Sequence, residues 1–209
     1  MRWMRWAVTA LLAGSVLGLG TALVNHVPIH LDEVGTARAD RSGLAQAAEF
    51  VSLILDSGWA WAALAVVVGR LVSHGVRPAP GILAGALAGC VSLLAATMVY
   101  DALEALLQDG TTGGWRQQFW LAASVLAGPF LGAAGAATRR PGPVGVVAAL
   151  VVPVGAALNM IVLPPAPDSR MAVPVTLTVW AAAALAAVVV LARGVRARSP
   201  HPDPAAAEV

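Results

Sequence analysis

The chain has 209 residues, 58% hydrophobic and 11% charged, less than half the charged share of ordinary soluble domains, about 25%. That composition describes a polytopic membrane protein and excludes an ordinary soluble domain. The net charge of +2 comes from short, scattered clusters of thirteen basic residues, all arginine, so no nucleic-acid partner is expected. The single cysteine, Cys90, excludes an intramolecular disulfide and any CxxC metal or redox motif.

A transmembrane helix needs about 20 apolar residues. Six segments qualify, near 6–24, 50–72, 80–100, 115–137, 144–163 and 172–192. The first follows Met-Arg-Trp-Met-Arg-Trp, which would also suit a signal peptide, and Ala37-Arg38-Ala39 resembles a cleavage site. Its apolar run of roughly 18 residues exceeds the usual 7–15 of such a signal, so it is expected to be retained as a span. The loop that follows, from Asn25 to about Glu49, carries His26 and His30 with Asp32 and Glu33 nearby. That is a weak metal-like pattern, and Pro28 between the histidines argues against one regular helix presenting both; no metal site is assigned.

The second span contains Ile-Leu-Asp-Ser-Gly-Trp-Ala-Trp, from Ile54 to Trp61. From Asp56 to Arg70 is fourteen residues, about 21 Å of helix, against a hydrocarbon core of about 30 Å. In one continuous helix Asp56 therefore lies below the membrane surface, since arginine can snorkel and aspartate cannot. Gln46, Glu49, Ser52 and Asp56 share one helical face. Two readings stand open. The face lines a wet cavity inside the bundle, or it is the solvated side of an interfacial helix, with Asp56 capping a new helix near Ser57 and Trp59 and Trp61 forming an aromatic belt.

Span three carries Gly81, Gly85 and Gly89 on one face, as span one carries Gly14 and Gly18 and span four Gly128 and Gly132. Such faces let helix backbones approach closely, either inside the bundle or in a homodimer through Gly81, Gly85 and Gly89. Span three ends with Tyr100, Asp101 and Glu104. Two carboxylates at i and i+3 repel and face the negative end of the helix dipole, so local helix stability does not explain them. They are either solvated or join Asp56 in an acidic binding site, with Arg116, Gln117 and Gln118 at the start of span four and Asn159 near the end of span five as partners. The candidate binding set is thus Glu49, Asp56, Tyr100, Asp101, Glu104, Arg116 and Asn159. Pro129 and Pro153 are expected to bend spans four and five.

Nine arginines (Arg2, Arg5, Arg70, Arg77, Arg139, Arg140, Arg193, Arg196, Arg198) fall on one side of this arrangement and four (Arg38, Arg41, Arg116, Arg170) on the other. The positive-inside rule places both termini in the cytoplasm of a cell carrying the protein in its plasma membrane. Nine of the eleven carboxylates (Asp32, Glu33, Asp40, Glu49, Asp56, Asp101, Glu104, Asp109, Asp168) lie on or near the outer side, a skew that topology rules do not require. The expectation is an all-α, polytopic helical bundle of about six spans, one transmembrane domain over 1–198, with a Pro/Ala-rich tail at 199–209 that is expected to be disordered. The two halves show no similarity that would mark an inverted repeat.

Leu55-Asp56-Ser57-Gly58-Trp59-Ala60-Trp61, Val99-Tyr100, and Gly128-Pro129-Phe130-Leu131-Gly132 with Gly135 resemble an uncharacterised family of small, multi-pass actinobacterial integral membrane proteins. The resemblance runs from span one to about Pro141 and implies no known activity. In that family the position of Asp56 more often holds Asn, which implies that a polar group matters there more than its ionisation.

No P-loop, HExxH or GxSxG motif occurs, and no cofactor is expected. Two functions remain. One is a non-enzymatic membrane protein that binds or passes a small solute, or supports a partner, at the outer acidic cluster, its other surroundings being the lipid bilayer. The alternative is a membrane-embedded enzyme acting on a lipid or isoprenoid by acid catalysis, similar in size to the membrane-bound terpene cyclases, with Asp56 as acid and Asp101 or Glu104 assisting. Those cyclases usually have seven spans and a second acid in the last helix; here span six has no carboxylate.

Overall fold

The structure, a computed structural model, describes residues 2–107 and 114–196. Asp109 and the 199–209 tail lie outside the described residues. Seven α-helices and a short 3-10 turn, Arg38–Asp40, make up the described part, which contains no strand: α1 (Arg2–His30), α2 (Gly43–Leu55), α3 (Gly58–Val72), α4 (Pro78–Leu107), α5 (Trp115–Ala137), α6 (Pro143–Val162) and α7 (Ala172–Arg196). Five of them, α1, α4, α5, α6 and α7, are long and apolar enough to cross a membrane. The pair α2 and α3 makes a sixth span only if taken together, bent by 56° at the break between them. The chain is a multi-pass helical membrane protein.

Several boundaries differ from expectation. The 50–72 segment is not one rod, because the chain breaks at Asp56-Ser57. Helix α1 continues past residue 24 and through Pro28 to His30, so the two histidines do lie on one helix. Helix α4 runs seven residues beyond Tyr100 and is about 45 Å long at 1.5 Å per residue. Asp101 and Glu104 therefore sit within its last two turns, well beyond a 30 Å hydrocarbon thickness from its start.

The interior is made of small residues and the exterior of large ones, as expected where lipid tails are as apolar as leucine. Leu126, Phe130, Leu185 and Val188 are each more than 60% exposed, whereas alanines and glycines fill the contacts. Helix α4 is central, flanked by α1, α3 and α5, and α6 pairs with α7. Backbones meet directly along α4. A Cβ on Gly132 would lie 2.1 Å from the Gly85 carbonyl oxygen, and one on Gly89 would lie 2.6 Å from that of Gly128. On the other flank a Cβ on Gly14 would lie 2.2 Å from the Ser92 carbonyl oxygen, and one on Gly18 2.3 Å from that of Ala96. The glycine faces of α1, α4 and α5 thus close onto one another within the chain, and Gly85 and Gly89 are occupied by α5. Gly81 instead lies near Ser73 and Val76.

Candidate functional site

The break between α2 and α3 begins with local hydrogen bonding. A helix leaves its last carbonyls without intrahelical partners. Here the Ser57 hydroxyl donates to the Ile54 carbonyl at 2.6 Å, and the Trp61 indole N–H reaches back to the Leu55 carbonyl at 2.9 Å. Both groups come from the residues that start α3, so the same short stretch ends one helix and pins the next. Asp56 is the C-cap of α2. It does not cap α3: Ser57 occupies that position, without a side-chain cap bond. The Asp56 carboxylate turns instead toward Asn25 on α1.

Asn25 joins three helices. Its Oδ1 accepts from Ser52 on α2 at 2.5 Å, and its Nδ2 donates to the Tyr100 hydroxyl on α4 at 3.1 Å. With the Asp56 contact, the amide ties α1 and α4 to the C-terminal end of α2. Ser52 and Glu49 on the polar face of α2 are therefore turned inward, while Asp56 at its end stays exposed. Glu49 is only 7% exposed, which favours the cavity reading of that face over a solvated one, even though the chain is broken.

Beyond Tyr100 lies a cavity of about 130 Å³ lined by Asp56, Gly58, Trp61, Thr97, Tyr100, Asp101, Arg116 and Trp120. Three aromatic rings wall it. Trp61 stacks on Trp120 with centroids 6.5 Å apart and meets Tyr100 edge-on at 6.4 Å. Thr97 and Ser124, 3.3 Å apart, tie α4 to α5 beneath. The Arg116 guanidinium pairs with Glu104 and lies 5.7 Å from the Tyr100 ring centroid. Asp101 has one buried carboxylate oxygen, Oδ2, with no protein partner. Asp56, Asp101 and Glu104 against Arg116 leave the cluster negative, with aromatic faces and an open acceptor, the combination that suits a cation.

The structure thus brings together five of the residues selected from sequence: Asp56, Tyr100, Asp101 and Arg116 line the cavity, and Glu104 holds Arg116. Glu49 belongs to a different chamber, beside Arg38 and Arg41. Asn159 on α6 lines neither cavity. Trp61 and Trp59 do not form an exposed belt: Trp61 faces the cavity, and Trp59 packs on the Ala156, Met160, Val175 and Val179 cluster of α6 and α7. Sequence reasoning missed Asn25, Thr97 and Trp120. Asn25 reads as loop because the apolar run of the first span ends at Val24; its spacing of four from Thr21 is the available signal.

The carboxylate skew also has a cause. Arg38 lies 3.1 Å from Glu49 and 3.6 Å from Asp168, Arg170 lies 3.9 Å from Asp40, and Glu33 accepts the Ser42 N–H at 3.0 Å. Asp40 and Asp168 clasp the α1–α2 connection to the α6–α7 connection, while Glu33 and Glu49 brace the α1–α2 connection itself. His26 is buried, with Nδ1 2.8 Å from the Ala22 carbonyl, and no group of three or more metal-ligating side chains occurs among the described residues.

The profile of DUF6518, a family of unknown function, matches residues 44–206, more than half of the chain. The chain belongs to DUF6518. The DUF6518 match begins one residue inside α2 and takes in the break, Tyr100, Asp101, Arg116 and Trp120, while Asn25, Arg38 and Arg41 precede it. It starts later than the resemblance read from the sequence and extends further, through α6 and α7. No curated protein and no solved structure matches the chain.

Proposed function

We propose that this DUF6518 protein binds a small organic cation in the cavity walled by Trp61, Tyr100 and Trp120. The observation that carries this is Asp101 Oδ2, a buried carboxylate oxygen without a protein partner at an aromatic-lined cavity. A quaternary or alkyl ammonium group would lie against the ring faces and near Asp56 and Asp101, each contact growing stronger as water is displaced. A cavity of about 130 Å³ suits a group of about benzene size, which a cavity of ~150 Å³ holds. That favours recognition of a small head group over acid catalysis on an isoprenoid chain.

Arginine placement supports an orientation in the plasma membrane with both termini cytoplasmic and this cavity facing outward. Around the opposite end lie Arg5, Arg70, Arg77, Arg139 and Arg140, and the cavities there are lined by no carboxylate among the described residues. The site would then sample external solutes.

The test is tryptophan fluorescence of the protein in nanodiscs, titrated with tetramethylammonium and with tert-butanol, a neutral compound of similar size and shape. A saturable change with the cation, lost in Asp101→Asn and in Trp61→Leu, is expected. An equal response to the neutral compound would refute recognition of charge.

A further inference from the structure

A second chamber, of about 170 Å³, lies on the other side of Asn25 and Ser52 and is lined by Val24, Pro28, Arg38, Arg41 and Glu49 as well. It shares no lining residue with the tryptophan-walled cavity; Asn25 links the two through its bond to Tyr100. Its polar groups are incompletely matched by protein. Glu49 is 7% exposed, and while Oε1 takes Arg38, Oε2 is buried with no partner. Arg41 Nε is likewise buried without a partner, and no ion pair involves Arg41 among the described residues. Pro28, inside α1, lacks an N–H and so cannot donate to the carbonyl of Val24 one turn earlier, and both residues line the chamber.

Leaving such groups unsatisfied in a buried place is costly. Their chemistry defines what would satisfy them. Glu49 Oε2 and the Val24 carbonyl require a donor, preferably a cationic one. The Arg41 guanidinium requires an acceptor, preferably an anionic one. Arg38 is already balanced between Glu49 and Asp168, so the chamber as a whole favours neither net sign.

We propose that this chamber binds a small zwitterion of the α-amino-acid type, its ammonium on Glu49 Oε2 and the Val24 carbonyl and its carboxylate on Arg41. The volume admits a molecule of about six to eight heavy atoms, by comparison with the benzene held in ~150 Å³, so glycine, alanine and serine are the natural probes. The 3-10 turn carrying Arg38 borders the chamber, and Arg38 ties it to Asp168 of the α6–α7 connection.

The experiment is calorimetric titration of the full chain in phosphatidylcholine nanodiscs, whose lipid offers no ammonium N–H, with glycine, alanine and serine, and with methylamine and acetate as half-ligands. Saturable binding of at least one amino acid is expected, with the half-ligands weaker by about ten- to hundredfold, the worth of one charged hydrogen bond. Arg41→Gln, which leaves the Arg38–Glu49 pair intact, should weaken the amino acid by the same factor, and Glu49→Gln likewise. Asp101→Asn should leave it unchanged. Absence of saturable binding for all three amino acids, or undiminished affinity in Arg41→Gln protein of wild-type melting temperature, would overturn the proposal.

Discussion

Replacing Gly132 by alanine tests how the bundle is held together. A Cβ at this position would lie 2.1 Å from the Gly85 carbonyl oxygen and 3.0 Å from the Gly89 Cα. Carbon–oxygen contacts of this kind settle at about 3.3 Å or more, so α4 and α5 must separate locally by about 1.2 Å. A gap of 0.5–1 Å already forfeits roughly a quarter to a half of each dispersion contact, and in lipid no hydrophobic driving force makes up the loss. The expected destabilisation is about 3 kcal/mol, the upper part of the overpacking range, set against a helix-propensity gain of up to ~1 kcal/mol for Gly→Ala. Gly155→Ala isolates that gain, because a Cβ there meets nothing within 4 Å. Cys90, the single cysteine, lies against Gly128 on the same α4–α5 contact. Its thiol is only partly covered in the folded chain, so the rise in its reaction with a thiol-reactive fluorophore during heating in detergent, measured against the folded baseline, reports separation of the helices. Gly132→Ala should melt well below the wild type and Gly155→Ala at or above it. Equal melting temperatures for the two variants would refute backbone-to-backbone packing of α4 on α5.

Asn25→Leu removes the acceptor of Ser52 and the donor to Tyr100; two stranded hydroxyls predict a loss of about 2–4 kcal/mol, measured by the same thiol assay. Arg38→Ala leaves the buried Glu49 carboxylate without its cation and should cost about 3 kcal/mol, whereas Arg170→Ala, whose pair with Asp40 is exposed and 3.9 Å long, should change stability by less than ~0.5 kcal/mol. Trp61→Phe keeps an aromatic ring but deletes the bond to the Leu55 carbonyl; hydrogen exchange at the amides of Ser57 to Trp61 should accelerate, with a stability loss near 1 kcal/mol. In a Cys90→Ser background, Gly35→Cys, a site with open space around it, should react with a membrane-impermeant thiol reagent on intact cells; protection there, with labelling only after lysis, would reverse the proposed orientation.

The sequence by itself determined that this is a helical membrane protein, roughly where its spans lie, and that small residues would mediate their contacts. Each follows from properties carried along one segment: apolar length, glycine at four-residue spacing, arginine at alternate ends. It also singled out Asp56, Tyr100, Asp101, Glu104 and Arg116, because charge in apolar sequence is costly and so conspicuous. What it could not decide was which of two readings held at Asp56, and the structure takes part of each: the chain breaks there and Asp56 stays exposed, yet Glu49 on the same face of α2 is buried. The reason is tertiary. Asn25 and Tyr100 are 75 positions apart, and Trp61 and Trp120 come from different helices; only the close approach of glycine-faced α1, α4 and α5 brings them to one end of the bundle. The Glu49–Arg38–Asp168 clasp is likewise non-local, joining two connections that in sequence read only as loop charges. Local periodicity records what a helix is made of, whereas the partner that satisfies a polar group is chosen by the neighbour the fold supplies.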